Sequence, residues 1–234
     1  MTGGGRGIGR AIAAALAAEG GLVGVVARSR SQVETVAAEI GGVPIPGDVT
    51  LEADCERAVA ELVDHHGRLD VLVNAAGISP VRQRAEIHDA DAFRRVLDVN
   101  LTGAYLATRA AAPTLLANAG SVVMVASVTG VQASPRLAGY GASKAGLVQL
   151  TRTLAREWAD RDVRVNAVCP GYVETELTEE MLAVQRIRAE ILDATPLARL
   201  ATLDEVVAPA LFLASDEASY ITGASLLVDG GMAA

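Results

Sequence analysis

Thr2-Gly3-Gly4-Gly5-Arg6-Gly7-Ile8-Gly9 leads straight into residues 10–19, and Ile8, Ile12 and Leu16 recur every four positions across the junction. A glycine-dense turn feeding a helix bends tightly and brings the N–H groups of the helix N-terminus close to an anion such as a pyrophosphate. The spacing is G-x-x-x-G-x-G, and alone it is a weak sign, since any tight turn can be rich in glycine. Working outward, short apolar runs at residues 22–27, 43–46, 69–74, 121–126, 163–168 and 225–228 alternate with amphipathic stretches. Most of the runs are nearly continuously apolar, as parallel strands covered on both faces must be. Leu150, Leu154 and Trp158 repeat the helical spacing of the first stretch. Strand–helix alternation over the whole length predicts a doubly wound α/β parallel sheet with right-handed crossovers, one domain spanning residues 1–234.

The composition supports such a core. Of 234 residues, 51% are hydrophobic and 21% charged, which excludes a disordered or fibrous chain. No apolar run approaches the ~18 residues of a membrane-spanning helix, and the first residues lack the apolar stretch of a secretory signal. Cys55 and Cys169 lie too far apart for a disulfide framework or a zinc site, so the reading is a reduced, cytoplasmic protein. A net charge of −8 argues against nucleic-acid partners. His65, His66 and His88 lack metal-ligand spacing and read as solvated surface, so no metal is expected.

Nineteen of the twenty basic residues are arginine, and the single lysine is Lys144. It follows Tyr140 by four positions, on one helical face. With four tyrosines among 234 residues, chance gives that spacing about 2% of the time. A tyrosine with a pKa of about 10 is a poor proton shuttle at neutral pH, and a nearby ammonium favours its phenolate. Ser127 stands thirteen residues earlier, at the end of run 121–126, where both hydroxyls can reach one substrate oxygen. Read alone, Ser127 is a turn or cap residue. Asn74-Ala75-Ala76-Gly77 ends run 69–74 with small residues against which a flat ligand can lie. Residues 174–197 interrupt the alternation; they predict one long helix over 177–194, either a substrate lid or an ordinary connection.

Together these residues resemble the short-chain dehydrogenase/reductase family, from Thr2 to Gly231. The resemblance implies a Rossmann-like sheet. It also implies NAD(P)-dependent oxidoreduction of a secondary alcohol or ketone, with Asn100, Ser127, Tyr140 and Lys144 as the catalytic tetrad. Tyr140 would exchange the alcohol proton, Ser127 hold the substrate oxygen, and Lys144 bind the nicotinamide ribose and lower the Tyr140 pKa. Asn100 would support a proton-relay water. Gly3, Arg6, Gly7, Ile8 and Gly9 would cradle the cofactor, with Asp48 and Val49 lining the adenine. Asn74, Ala75, Ala76 and Gly77 match the family's N-A-A-G motif and would also contact the cofactor, Pro170, Gly171 and Val173 would lie under the nicotinamide, and Thr175 would reach its carboxamide. Ala27-Arg28-Ser29 offers no acid for a ribose 2′-hydroxyl, whereas Arg28 and Arg6 could grip a 2′-phosphate. NADP(H) is therefore favoured over NAD(H).

Substrates implied are a 3-oxoacyl group on a carrier protein, a sugar acid or another small ketone. The pocket falls at residues 79–81, 128–137, 172 and 174–194, with Arg82, Arg84 and Arg136 nearby. A homotetramer or dimer is also implied. The family pattern places a first strand of about five or six residues before the glycine loop, where this sequence has only Met1. Losing four buried aliphatic side chains there would cost about 6–12 kcal/mol, and an upstream strand is expected. The second reading is a non-catalytic dinucleotide-binding or regulatory protein, which would need no Ser127, Tyr140 or Lys144.

Overall fold

Valine-rich runs form the strands because β-branched side chains fit a pleated surface packed on both faces. The structure is a computed structural model and describes residues 1–79 and 82–234. Its strands are β1 (Gly24–Ala27), β2 (Val43–Pro46), β3 (Val71–Asn74), β4 (Ser121–Val125), β5 (Arg164–Pro170) and β6 (Ser225–Val228). All pairings are parallel; β3–β4–β5–β6 form one four-stranded sheet and β1–β2 a separate pair.

Helices α1 (Gly7–Ala18), α2 (Arg30–Ile40), α3 (Glu52–His66), α4 (Ala90–Leu97), α5 (Gly103–Ala117) and α6 (Ala138–Trp158) follow in order. Then come α7 (Glu179–Leu182), α8 (Gln185–Asp193) and α9 (Leu203–Ala214). One layer of core joins Ile12 of α1, Val36 of α2 and Leu213 of α9 to Val25, Val73 and Val123. The opposite layer joins Leu62, Leu115, Leu147 and Leu154 of α3, α5 and α6 to Val122, Met124 and Val165. Apolar strands thus have helices on both faces, which makes the fold doubly wound.

Where the first strand was expected, Thr2 alone bridges the two sheets, pairing in parallel with Val26 and with Asn74. The Thr2 N–H donates to Val73 O at 3.0 Å and Thr2 O accepts from the Ala75 N–H at 3.2 Å. Met1 O accepts from the Val26 N–H at 2.9 Å. The carboxyl ends of the two sheets are therefore tied through Met1, Thr2 and Gly4; the Gly4 N–H donates to Val26 O at 3.3 Å. Deeper in the seam, Gly24, Leu62, Leu69 and Leu72 line a cavity of about 40 Å³.

Strand boundaries differ from expectation by one or two residues. β1 and β3 each start two residues late, because the register with their neighbours begins at Gly24 and Val71. β5 extends to Pro170, carried there by its pairing with Val228 of β6. The expected single helix over 177–194 is two, α7 and α8, separated at Val184, which is extended (φ −80°, ψ 103°). Leu182 and Ile191 explain the break: both are buried. Nine residues apart at about 100° each, one straight helix would send them to opposite faces. Among the described residues no helix is long and apolar enough to cross a membrane, and no cluster could hold a metal ion.

Candidate active site

A cleft of about 350 Å³ opens at the carboxyl ends of the strands, where ligands bind in open α/β sheets. At one end lies the glycine loop. Gly3 (φ +66°) passes so close to the β3 end that a Cβ would sit 2.5 Å from Ala76 N, and a Cβ on Gly9 would overlap Gly3 O. These glycines let the loop, the helix and the Ala75-Ala76 turn converge on one wall. Helix α1 starts at Arg6 with no side-chain cap and no acidic residue in its first turn. By contrast, Ser29, Asp89 and Thr202 cap α2, α4 and α9. An uncapped helix N-terminus facing a cleft, entered through Gly7 at φ +52°, fits a diphosphate. Arg6 and Arg28 line the same end; Glu176 supplies the one carboxylate lining the cleft among the described residues.

Ser127, Tyr140 and Lys144 line the other end, beside Pro170 and Gly171. Ser127 follows β4 and is buried. Its Oγ accepts from the Thr129 N–H at 3.2 Å and the Thr129 hydroxyl at 3.1 Å. It therefore caps the turn Val128–Gly130, as its isolated reading suggested, and the same hydroxyl favours the Tyr140 phenolate. Burial pushes the Tyr140 phenol up to about 12, the Ser127 hydroxyl drawing it back only in part. Lys144 Nζ donates to Val125 O at 2.7 Å and lies 5.7 Å from the centre of the Tyr140 ring. Burial pushes its ammonium down to about 8.

The expected lowering of the Tyr140 pKa by Lys144 is thus reversed. Lost hydration of the phenolate outweighs an ammonium whose closest bond goes to a strand carbonyl. Cys169 is buried beneath this end, and burial raises its thiol to about 11, so it is no nucleophile at neutral pH.

The expected cofactor residues Gly3, Arg6, Gly7, Ile8, Gly9, Arg28, Val49, Ala75, Ala76, Gly77, Pro170, Gly171, Val173 and Thr175 all line the cleft. Asp48, Asn74 and Asn100 do not. Asp48 Oδ1 accepts from the N–H and hydroxyl of Thr50 and so closes a turn. Asn74 is buried and donates to Thr108 Oγ1 at 2.8 Å, tying β3 to α5.

Asn100 sits in a π-helical turn, Asp98–Thr102, between α4 and α5. Its Oδ1 accepts from the Ile78 N–H at 2.8 Å, and its Nδ2 donates to Ile78 O at 2.9 Å and to Ser143 Oγ at 3.1 Å. The carboxamide therefore clamps the loop after β3 onto α6, one residue beyond Gly77. Pro80 and Val81 of the expected pocket lie outside the described residues. Sequence reading missed Ser29 and Gln32 as cleft residues and covered Glu176 and Thr178 only within the segment 174–194; all four line the cleft. Thr178 carried a usable signal as a hydroxyl three residues after Thr175: its Oγ1 accepts from the Thr175 N–H at 3.0 Å.

A family model described as enoyl-(acyl carrier protein) reductase matches residues 3–233. The chain belongs to the short-chain dehydrogenase/reductase family. The 3-oxoacyl-[acyl-carrier-protein] reductase of Thermotoga maritima is 38% identical to it, over 99% of this chain and 96% of that one. Galactitol 2-dehydrogenase (L-tagatose-forming) of Cereibacter sphaeroides is 41% identical, over 99% and 92%. A gluconate 5-dehydrogenase from Burkholderia cenocepacia, solved with NADP and tartrate, matches with a TM-score of 0.94 at 31% identity, over 99% and 92%. The chain is accordingly an NAD(P)-dependent oxidoreductase that interconverts a secondary alcohol and a ketone. The non-catalytic reading is not favoured.

Proposed function

We propose that the chain is an NADP(H)-preferring ketone reductase in which Tyr140 delivers the proton. The observation that carries this is the convergence of Ser127, Tyr140 and Lys144 at one end of a cleft whose other end is an uncapped helix N-terminus. Gly3, Gly7, Ile8 and Gly9 hold the diphosphate, Arg6 and Arg28 the 2′-phosphate, Val49 the adenine end. Ala75, Ala76, Gly77, Pro170, Gly171, Val173 and Thr175 surround the nicotinamide, which when bound supplies the hydride.

Tyr140 is fully protonated at neutral pH, with a phenol pushed up to about 12, so its resting state is that of a donor to a carbonyl oxygen. Ser127 Oγ holds that oxygen, and the Lys144 ammonium steadies the phenolate left behind. Asn100 positions the loop that carries Ile78. Residues 174–197 act as a lid, pinned at its root by the Thr178 bond to Val173 O. The substrate is a small ketone, a sugar acid or a carrier-bound 3-oxoacyl group. Two buried, unpaired cysteines support a cytoplasmic setting. Exposed Tyr105, Phe212, Leu226 and Leu227 support a homotetramer or dimer.

Thermal unfolding with excess NADPH, NADP⁺, NADH or NAD⁺ tests the reading. A ligand at a hundredfold excess over its Kd adds about 2.7 kcal/mol. The phosphorylated pair is expected to give the larger upward shift in Tm, and NADPH to be consumed on adding a ketone. No shift with any nucleotide would sink the proposal.

A further inference from the structure

A serine hydroxyl can hold a carbonyl oxygen only as a donor. It has one proton to give and two lone pairs with which to accept, so its direction must be set by its neighbours. One residue takes both lone pairs of Ser127. Thr129 donates its backbone N–H to Ser127 Oγ at 3.2 Å and its hydroxyl at 3.1 Å. Ser127 and Thr129 are 7% and 8% exposed, so water competes little for either oxygen. With its acceptor capacity filled, Ser127 Oγ has only its proton left to offer. Among the described residues no carbonyl or carboxylate takes that proton. Ser127 lines the cleft and Thr129 does not, so Thr129 acts from behind the reacting centre.

The backbone holds this pair in place. The Gly130 N–H donates to Ser127 O at 2.9 Å and the Val131 N–H to Val128 O at 3.0 Å, which closes the turn. The turn lies against α6, the helix of Tyr140 and Lys144. A Cβ on Gly130 would sit 2.7 Å from Lys144 O, and one on Gly141 3.4 Å from Thr129 O. Thr129 is thus fixed relative to both groups. The Ser127 hydroxyl also favours the Tyr140 phenolate, as a donor does and an acceptor does not.

We propose that Thr129 is a positioning residue for the reduction: by filling the lone pairs of Ser127, it fixes that hydroxyl as a one-way donor to the substrate oxygen. Ser127 and Tyr140 then present two donors to an oxygen that only accepts, which a carbonyl is and an alcohol is not. Ser127 keeps its proton throughout. The proton that moves to the carbonyl oxygen comes from Tyr140, and the bond from Ser127 tightens as negative charge builds there. Without Thr129 Oγ1 the serine hydroxyl is free to turn away. The inference rests on the ketone-reductase reading and adds to it a residue outside the cleft.

Neutron diffraction from crystals of the perdeuterated protein tests this without a substrate. The Thr129 deuteron is expected between the two oxygens, and the Ser127 deuteron in one position directed into the cleft. A Ser127 deuteron directed at Thr129, or spread over several rotamers, overturns the proposal. Turnover of ethyl acetoacetate with NADPH supplies the functional readout. Thr129→Val keeps the side-chain shape and the backbone N–H. It is expected to lower kcat about tenfold, less than outright loss of an oxyanion donor because Ser127 remains. Its Kd for NADPH should stay within about twofold of wild type. Thr129→Ser restores the hydroxyl and should return kcat to within about twofold of wild type. Wild-type turnover in Thr129→Val, a change confined to KM, or a loss in Thr129→Ser as deep as in Thr129→Val overturns the proposal as well. The two readings fail separately. If wild type consumes no NADPH on any ketone, ketone reduction falls, and the deuteron positions alone decide the role of Thr129.

Discussion

The sheet is built to two standards on either side of Thr2. From β3 to β6 the ladders are continuous, β4 and β5 are buried on both faces, and they carry the ends from which Ser127, Cys169 and Pro170 emerge. Between β3 and β1 the ties are the backbone hydrogen bonds of Met1, Thr2 and Gly4, with a cavity behind them. The first region sets proton-transfer geometry, and the second holds Arg28 and half of the nucleotide cradle. The contrast teaches that chemistry and cofactor affinity rest on supports of unequal strength. Local opening should therefore begin at β1–β2 and cost binding before it costs the geometry of Tyr140.

The largest effect that sharpens this contrast is Tyr140→Phe. It should lower kcat about 10²–10⁴-fold while leaving the Tm and the NADPH-induced shift unchanged. Lys144→Met comes next. The folded ammonium titrates near 8, below its usual 10.5, so the unfolded chain holds a proton that the folded one sheds between those values. Stability therefore rises with pH across that window, and below pH 8 the buried charge carries its full penalty, on the order of a few kcal/mol. The variant should lose turnover yet melt higher than wild type at pH 7, with the two Tm values converging by about pH 10.5.

Thr2→Pro removes the N–H donated to Val73 O and should cost about 1–3 kcal/mol. Amide exchange should speed up in β1 and β2 and stay slow in β4 and β5; uniform acceleration would erase the contrast between the two regions. Smallest is Arg28→Ala, expected to weaken NADPH about tenfold relative to NADH, or about 1.4 kcal/mol. That ratio is read from paired Kd values.

Residues that act through near neighbours were legible in sequence. The glycine loop and the Tyr140–Lys144 pair work at separations of two to four residues, where helix and turn geometry fix what meets what. Less legible were the hydrogen-bond partners that no motif announces. Asn74 is claimed by Thr108, thirty-four residues on, and Asn100 by the backbone of Ile78. Asp48 was spent on its own turn. The break at Val184 required knowing that both Leu182 and Ile191 find a core. The direction of the Tyr140 shift depended on desolvation, which no spacing reports.

Lys144 has one more consequence, for the bench. As the chain's single lysine, set within α6 and 4% exposed, it leaves this sequence one side-chain amine in total. An amine-selective reagent can otherwise react only at the chain's α-amino group, so a second label on the folded protein marks access to the active cleft. Lysyl endopeptidase can cut only after residue 144, between two buried turns of a long helix. A single clean cleavage into two fragments therefore times the opening of the catalytic half of the molecule.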